Sequence, residues 1–160
     1  MSDAILFDTS FFLRFLNDED PLFSNADNYF KYFLGKDFEL FISTISIGEY
    51  CVGGEVDELP LRNLRVLPFN FTHGTKAGKF GRILFNKRKI GQLEVSKRSI
   101  IPNDIKLFAQ SDTEENIKYY VTSDTESIKL FNAIKDDMAI NFEIIDLNTP
   151  HTEVFGLLDL

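Results

Sequence analysis

A chain of 160 residues that is 44% hydrophobic and 14% aromatic carries enough apolar material to bury a core, which excludes a disordered segment and sets the expectation of one domain over residues 1–160. Its lone cysteine, Cys51, excludes an internal disulfide scaffold and a thiolate metal cluster, and no run approaches the roughly 18 apolar residues of a membrane span. The formal net charge of -8 argues against a uniformly basic nucleic-acid coat.

The opening Met-Ser-Asp lacks the basic flank and apolar run of a secretion signal, so a reducing, cytoplasmic compartment with no membrane partner is expected. The charge is unevenly spread. Between His73 and Asn103 stand Lys76, Lys79, Arg82, Lys87, Arg88, Lys89, Lys97 and Arg98, with Glu94 as the single acid. One basic strip on an acidic body suits a phosphate backbone held against one surface, although a solvated basic helix and loop would look the same.

In chain order, AILFD (residues 4–8) reads as a short buried strand ending in an acid, and SFFLRFLN (10–17) as a short helix. Residues 22–34 form a helix with Leu22, Phe23, Ala26, Phe30 and Phe33 on its apolar face. FELFIST (38–44) is the second strand, and ISIGEYCV (45–52) a helix opening at Thr44 or Ser46 and closing at Gly53-Gly54. An acid- and proline-containing linker follows. RVLPF (65–69) is a third strand that Pro68 confines to an edge.

The next helix, residues 72–86, carries Ala77, Phe80 and Leu84 at helical spacing, and residues 87–99 read as a loop with a turn at Gly91. Pro102 suits the first turn of a helix running to about residue 111. Residues 117–123 are a strand, 124–135 a helix and 140–147 a last strand. Strands separated by helices imply an α/β fold whose parallel sheet of about five strands is covered on both faces.

In such sheets sites form beyond the carboxyl ends of the strands. Asp8 ends the first strand, and Asp124 follows the YYVTS strand in the same way. Asp104 starts the helix at Pro102, and Glu49 lies mid-helix among Ile45, Ile47, Tyr50 and Val52, in a segment apolar enough to be mostly buried. Each has a bland reading: Asp8 as a helix cap, Asp104 and Asp124 as first-turn acids favoured by the helix dipole, Glu49 as an edge residue reaching for water. Together, four converging carboxylates need a cation, and oxygen-only ligands favour Mg²⁺ or Mn²⁺.

ILFDTS, ISIGEY with Glu49, NDIKLFAQ with Asp104, and YYVTSDTESIKLF with Thr122 and Asp124 resemble, in order and approximate spacing, the acidic motifs of the PIN-domain ribonucleases, and of VapC-type toxins in particular. The resemblance spans residues 5–131 and implies a three-layer α/β/α fold and a metal-dependent endoribonuclease. It implies that Asp8, Glu49, Asp104 and Asp124 are the acidic ligands and catalytic residues, supported by the Thr9 and Thr122 hydroxyls. It also implies a small antitoxin partner and a homodimer. Where the family often has Asn at the third position of the first motif, this chain has Ser10; Lys106 and Gln110 intrude on the third.

Lys76, Lys79, Arg82, Lys87 and Arg88 are the candidates for holding RNA, contacts that position the strand without reading its sequence. His73 and His151 lack the spacing of a zinc helix, and Cys51 has no partnered base. Phe11, Phe12, Phe15, Phe30 and Phe33 are expected in the core. Two rivals are a receiver-like regulatory domain, which lacks its phosphoacceptor Asp at RVLPF, and a catalytically inactive PIN-like module for RNA binding or assembly.

Overall fold

The computed structural model describes residues 1–93 and 102–157. Among them, the strands β1 (Ala4–Phe7), β2 (Glu39–Ser43), β3 (Arg65–Leu67), β4 (Ile117–Thr122) and β5 (Glu143–Asp146) form one sheet of order β3-β2-β1-β4-β5, with every pairing parallel. The helices are α1 (Thr9–Phe15), α2 (Phe23–Gly35), α3 (Thr44–Tyr50), α4 (Phe71–Lys89), α5 (Pro102–Thr113), α6 (Thr125–Lys135) and α7 (His151–Val154).

The layers follow from the two-residue period of the strands. In β1, Ala4 and Leu6 pack with Phe80 and Leu84 of α4, Phe108 of α5 and Phe131 of α6, whereas Ile5 and Phe7 pack with Phe11 and Phe12 of α1 and Phe30 and Phe33 of α2. Because β1 is central and covered on both faces, all four of its residues are apolar and buried. The expected phenylalanine core is there: the Phe7 and Phe11 rings stack at 4.1 Å, and Phe11 meets Phe12 edge to face at 5.2 Å. Phe15 is half-buried and stacks on Phe11.

The chain winds outward from β1 through β2 to β3, then returns to place β4 on the other side of β1. The reversal creates a crevice beyond the carboxyl ends of β1 and β4. β3 lies at an edge, as Pro68 requires.

Two local expectations are corrected. The run Lys87-Arg88-Lys89 is the last turn of α4, not loop, and the turn follows at Gly91, whose φ of 76° lies in the left-handed region. The continuation is stabilised by Lys87, whose buried stem extends the apolar face set by Phe80 and Leu84. α3 is capped by Ser43, which accepts the Ile45 N–H at 3.1 Å, rather than by Thr44 or Ser46. The linker after α3 holds two 3-10 turns, Val56–Glu58 and Leu61–Asn63. Residues 94–99 of the expected loop, with Lys97 and Arg98, lie outside the described residues.

Candidate active site

The crevice is built around Asp8. Its side chain caps α1: Oδ1 accepts the Phe11 N–H at 3.0 Å and the Ser10 hydroxyl at 2.6 Å, and Oδ2 accepts the Thr122 hydroxyl from the end of β4. Thr122 Oγ1 in turn accepts the Asp124 N–H at 3.0 Å, and Ser10 Oγ accepts the Ser123 N–H at 2.9 Å. This ring of bonds stitches the β1–α1 turn to the β4–α6 turn. Two carboxylate oxygens offer about four acceptor positions. Three are taken by these donors, which leaves Oδ2 able to accept one more.

Asp8 is 4% exposed, and burial, outweighing the hydrogen bonds from Ser10, Thr122 and Phe11 and joined by the charge of Asp124, pushes its pKa up to about 6. Asp124 caps α6, accepting the Glu126 N–H at 2.9 Å, and is exposed at the rim. The capping reading of Asp8 is therefore correct geometrically, whereas Asp124, read as a first-turn acid, stands one position earlier as the N-cap of α6; capping fixes both carboxylates at adjoining turns.

Glu49 departs from expectation: it is exposed, not buried. The buried positions of α3 are Ser46 and Tyr50, one turn apart, and Glu49 stands off that stripe. It is nonetheless directed to the crevice, because Thr9 Oγ1 in the first turn of α1 donates to Glu49 Oε1 at 2.9 Å. Asp104, half-buried in the first turn of α5, completes the set. Burial first, then the charges of Asp124, Asp8 and Glu49, push its pKa up to about 7. The Ser127 hydroxyl works the other way on Asp104, yet lies too far or too oblique to close a hydrogen bond. Four acids from four different elements thus lie within electrostatic reach of one another.

These side chains fit a hard divalent cation in chemistry and charge. The donors are carboxylate oxygens, and among the described residues none of the four acids has an ion-pair partner. The Tyr120 and Ser127 hydroxyls, from β4 and α6, are buried without a hydrogen-bond partner, as is that of Ser46, one turn before Glu49 in α3. Among the described residues no three acids are already drawn around a single point, so enclosing an ion requires side chains to close in.

The basic candidates divide. Lys79 and Arg82 are exposed on α4, and Arg88 is half-buried. Lys76 instead pairs with the buried Asp112 at 2.8 Å. Lys87, 8% exposed, donates to the Ala133 carbonyl at 2.7 Å and lies 3.3 Å from Asp137. Both ammonium groups are spent inside the protein, a correction to the strip read from sequence. His73 is likewise internal: its Nδ1 accepts the Asn70 N–H at 3.0 Å, so Nε2 carries the proton and donates to Glu114 at 2.8 Å.

Sequence reasoning missed two members. Ser10 was noted only as a departure from the family pattern, yet it bridges Asp8 to Ser123. Tyr120 looked like an ordinary strand residue; its position two before Thr122, on the same strand face, was the available signal.

No family model matches the sequence, and no curated protein matches it. Solved structures do. The fold is similar to VapBC2 from Rickettsia felis, solved bound to a DNA fragment from its promoter, with a TM-score of 0.60, 19% identity, and coverage of 89% of this chain and 99% of that one. It is similar to DNA-bound VapBC from Salmonella typhimurium, with a TM-score of 0.56, 17% identity, and coverage of 91% and 98%. It is also similar to the Mycobacterium tuberculosis toxin VapC20, which cleaves the sarcin-ricin loop, with a TM-score of 0.52, 18% identity, and coverage of 78% and 93%. The agreement extends over nearly the whole of each solved chain. The chain has the fold of the VapC-type PIN domains.

Proposed function

We propose that this chain, as one domain, is a Mg²⁺- or Mn²⁺-dependent endoribonuclease that acts in the cytoplasm as the toxin of a toxin–antitoxin pair. The observation that carries the reading is the convergence of Asp8, Glu49, Asp104 and Asp124 at the carboxyl edge of the sheet, with the pKa values of Asp8 and Asp104 raised by burial and by neighbouring acids. Two of the similar structures are toxin–antitoxin assemblies on DNA, which supports a small antitoxin partner. A homodimer belongs to the same reading. Among the described residues no helix is long and apolar enough to cross a membrane.

Asp8, Glu49, Asp104 and Asp124 would hold the ion. A bound divalent cation supplies an activated water and charge neutralisation for in-line displacement at a phosphodiester. The protein's part is positional. Asp8 is fixed by its ring of three donors, Thr122 ties it to the Asp124 backbone, and Thr9 holds Glu49 toward the crevice. Lys79, Arg82 and Arg88 on α4 offer cations to the RNA backbone without reading its bases.

The test is Asp8→Asn. Asparagine caps helices as well as aspartate does, so α1 keeps its cap and the far-ultraviolet circular dichroism stays unchanged. Mn²⁺-dependent cleavage of single-stranded RNA should disappear. Retained cleavage overturns the assignment; RNA binding without cleavage or Mn²⁺ binding in the unaltered protein would favour an inactive RNA-binding or assembly module.

A further inference from the structure

The buried hydroxyl of Tyr120 has no hydrogen-bond partner among the described residues, although the residue is 0% exposed. A buried phenol normally finds one, because leaving the O–H unpaired forfeits its hydration for nothing. The direction in which it points follows from the fold. Tyr120 shares a strand face with Thr122, whose hydroxyl reaches Asp8, and it lies level with Leu6 in β1, two residues before the acid. Its ring packs edge to face on Phe108 at 5.1 Å. Phe108 is one turn beyond Asp104 on the same face of α5. The phenol therefore stands on the sheet face covered by α5, the helix that carries Asp104, in the strand whose Thr122 reaches Asp8. Consistent with this, Asp8, Asp104, Glu49 and Asp124 all act on the phenol and, after burial, raise its pKa.

The Ser127 hydroxyl, 0% exposed in the first turn of α6, is the second unpartnered donor beside Asp104. The carboxylates are not yet gathered around one point, and the donors below them are unused. These two observations have a common explanation if the donors acquire their partner when the acids close on an ion.

We propose that Tyr120 is a positioning residue of the acidic site, its phenol donating the hydrogen bond that holds the Asp104 carboxylate in place when a divalent cation is bound. The inference rests on the metal-dependent reading above. It assigns no contact with the substrate. Residues behind a metal ligand fix its orientation, and their loss typically weakens metal affinity about 10- to 100-fold.

The experiment compares Tyr120→Phe with the unaltered protein in a Mn²⁺ titration by calorimetry, alongside thermal unfolding in chelator. The dissociation constant for Mn²⁺ should rise about tenfold. The metal-free Tm should stay level or increase, because the variant deletes a buried hydroxyl that pairs with nothing while keeping the ring. A purely structural tyrosine would give the reverse: a lower metal-free Tm and unchanged Mn²⁺ affinity. The chain has five Tyr and no Trp, so Mg²⁺ should also perturb the near-ultraviolet tyrosine bands of the unaltered protein, and that perturbation should be lost in Tyr120→Phe.

Phe142→Leu, which trims a buried ring packed on Tyr120 from the far end of the sheet, controls for packing: it should lower Tm and leave Mn²⁺ affinity intact. Equal Mn²⁺ affinity in Tyr120→Phe and the unaltered protein overturns the positioning role alone, as does equal weakening in Phe142→Leu. An unaltered protein that binds neither ion overturns the metal-dependent reading as well.

Discussion

Thr122 donates to Asp8 across 114 positions of sequence, and through it the end of β4 is locked to the end of β1. The same Thr122 oxygen receives the Asp124 N–H, so one hydroxyl sets the spacing of two acids. Thr122→Val keeps the shape and removes both interactions. The metal-free variant should lose about 1–3 kcal/mol near neutral pH, the cost of stripping a bond from a buried carboxylate. Below about pH 5 the loss should shrink, since Asp8 protonates near 6 and the neutral acid needs the donor less. Urea unfolding at the two pH values measures both; an equal loss at both would contradict the role given to Thr122.

Stability of the metal-free protein should rise on acidification, opposite to the behaviour of carboxylates held by salt bridges. Asp8 and Asp104 have ordinary values of 3.8 and folded values of about 6 and about 7. Between those limits the folded state keeps protons that the unfolded chain releases, so stability is highest toward pH 4 and falls as pH climbs through 6 and 7. One pKa unit corresponds to about 1.4 kcal/mol, so the rise of the buried Asp8 from 3.8 to about 6 is worth on the order of 3 kcal/mol; the half-buried Asp104 adds a further amount, reduced by solvent screening. Saturating Mn²⁺ should invert the trend, because ligands bind the ion only when deprotonated. Thermal unfolding from pH 5 to 8, in chelator and in Mn²⁺, reads the sign directly.

How far the sequence discloses this arrangement depends on which physical signal each residue leaves. Strand and helix periods were strong, and Pro68 marked β3 as an edge, because these rest on local pattern. The end of α4 was hidden because Lys87 counts as polar in any periodicity, although its buried stem behaves as an apolar side chain. Asp8, Asp104 and Asp124 were legible as strand-end and helix-start positions and Glu49 as a mid-helix acid, but whether Glu49 is buried depends on the rotation of α3 against the sheet, which seven residues with Ile at two positions do not determine. Nothing local marks Ser10 or Tyr120 as a site residue beyond the place of Tyr120 two before Thr122. Ser10 matters through Ser123, more than 100 positions away, and Tyr120 through the strand that Thr122 joins to Asp8.

Glu49→Gln separates an exposed surface acid from a ligand. The Gln oxygen can still accept the Thr9 hydroxyl, so the contact between α1 and α3 persists and metal-free stability should hold within about 0.5 kcal/mol. If Glu49 lends its charge to the ion, Mn²⁺ affinity should fall about tenfold or more, since oxygen sites are tuned by the number of charged ligands. Calorimetric titration decides the matter: unchanged affinity would return Glu49 to the role of a solvated helix residue tethered by Thr9.

The basic residues of α4 should separate by function although they are neighbours in sequence. Lys79 and Arg82 project into solvent, so the double variant Lys79→Ala/Arg82→Ala should keep its stability, bind single-stranded RNA more weakly, and show a salt dependence shallower by about 0.7 per lost phosphate contact. Lys87→Met is the counterpart. It keeps most of the buried stem but deletes the ammonium that caps the C-terminal end of α6 at the Ala133 carbonyl and offsets Asp136 and Asp137. A buried carbonyl then loses its charged donor, at a cost of about 1–3 kcal/mol in unfolding, while the salt slope of RNA binding stays where it was. Fluorescence anisotropy over a salt series, paired with urea unfolding, reports both quantities for each variant. A shallower slope in Lys87→Met would mean that α6 releases Lys87 to the RNA and that its internal bonds are exchangeable.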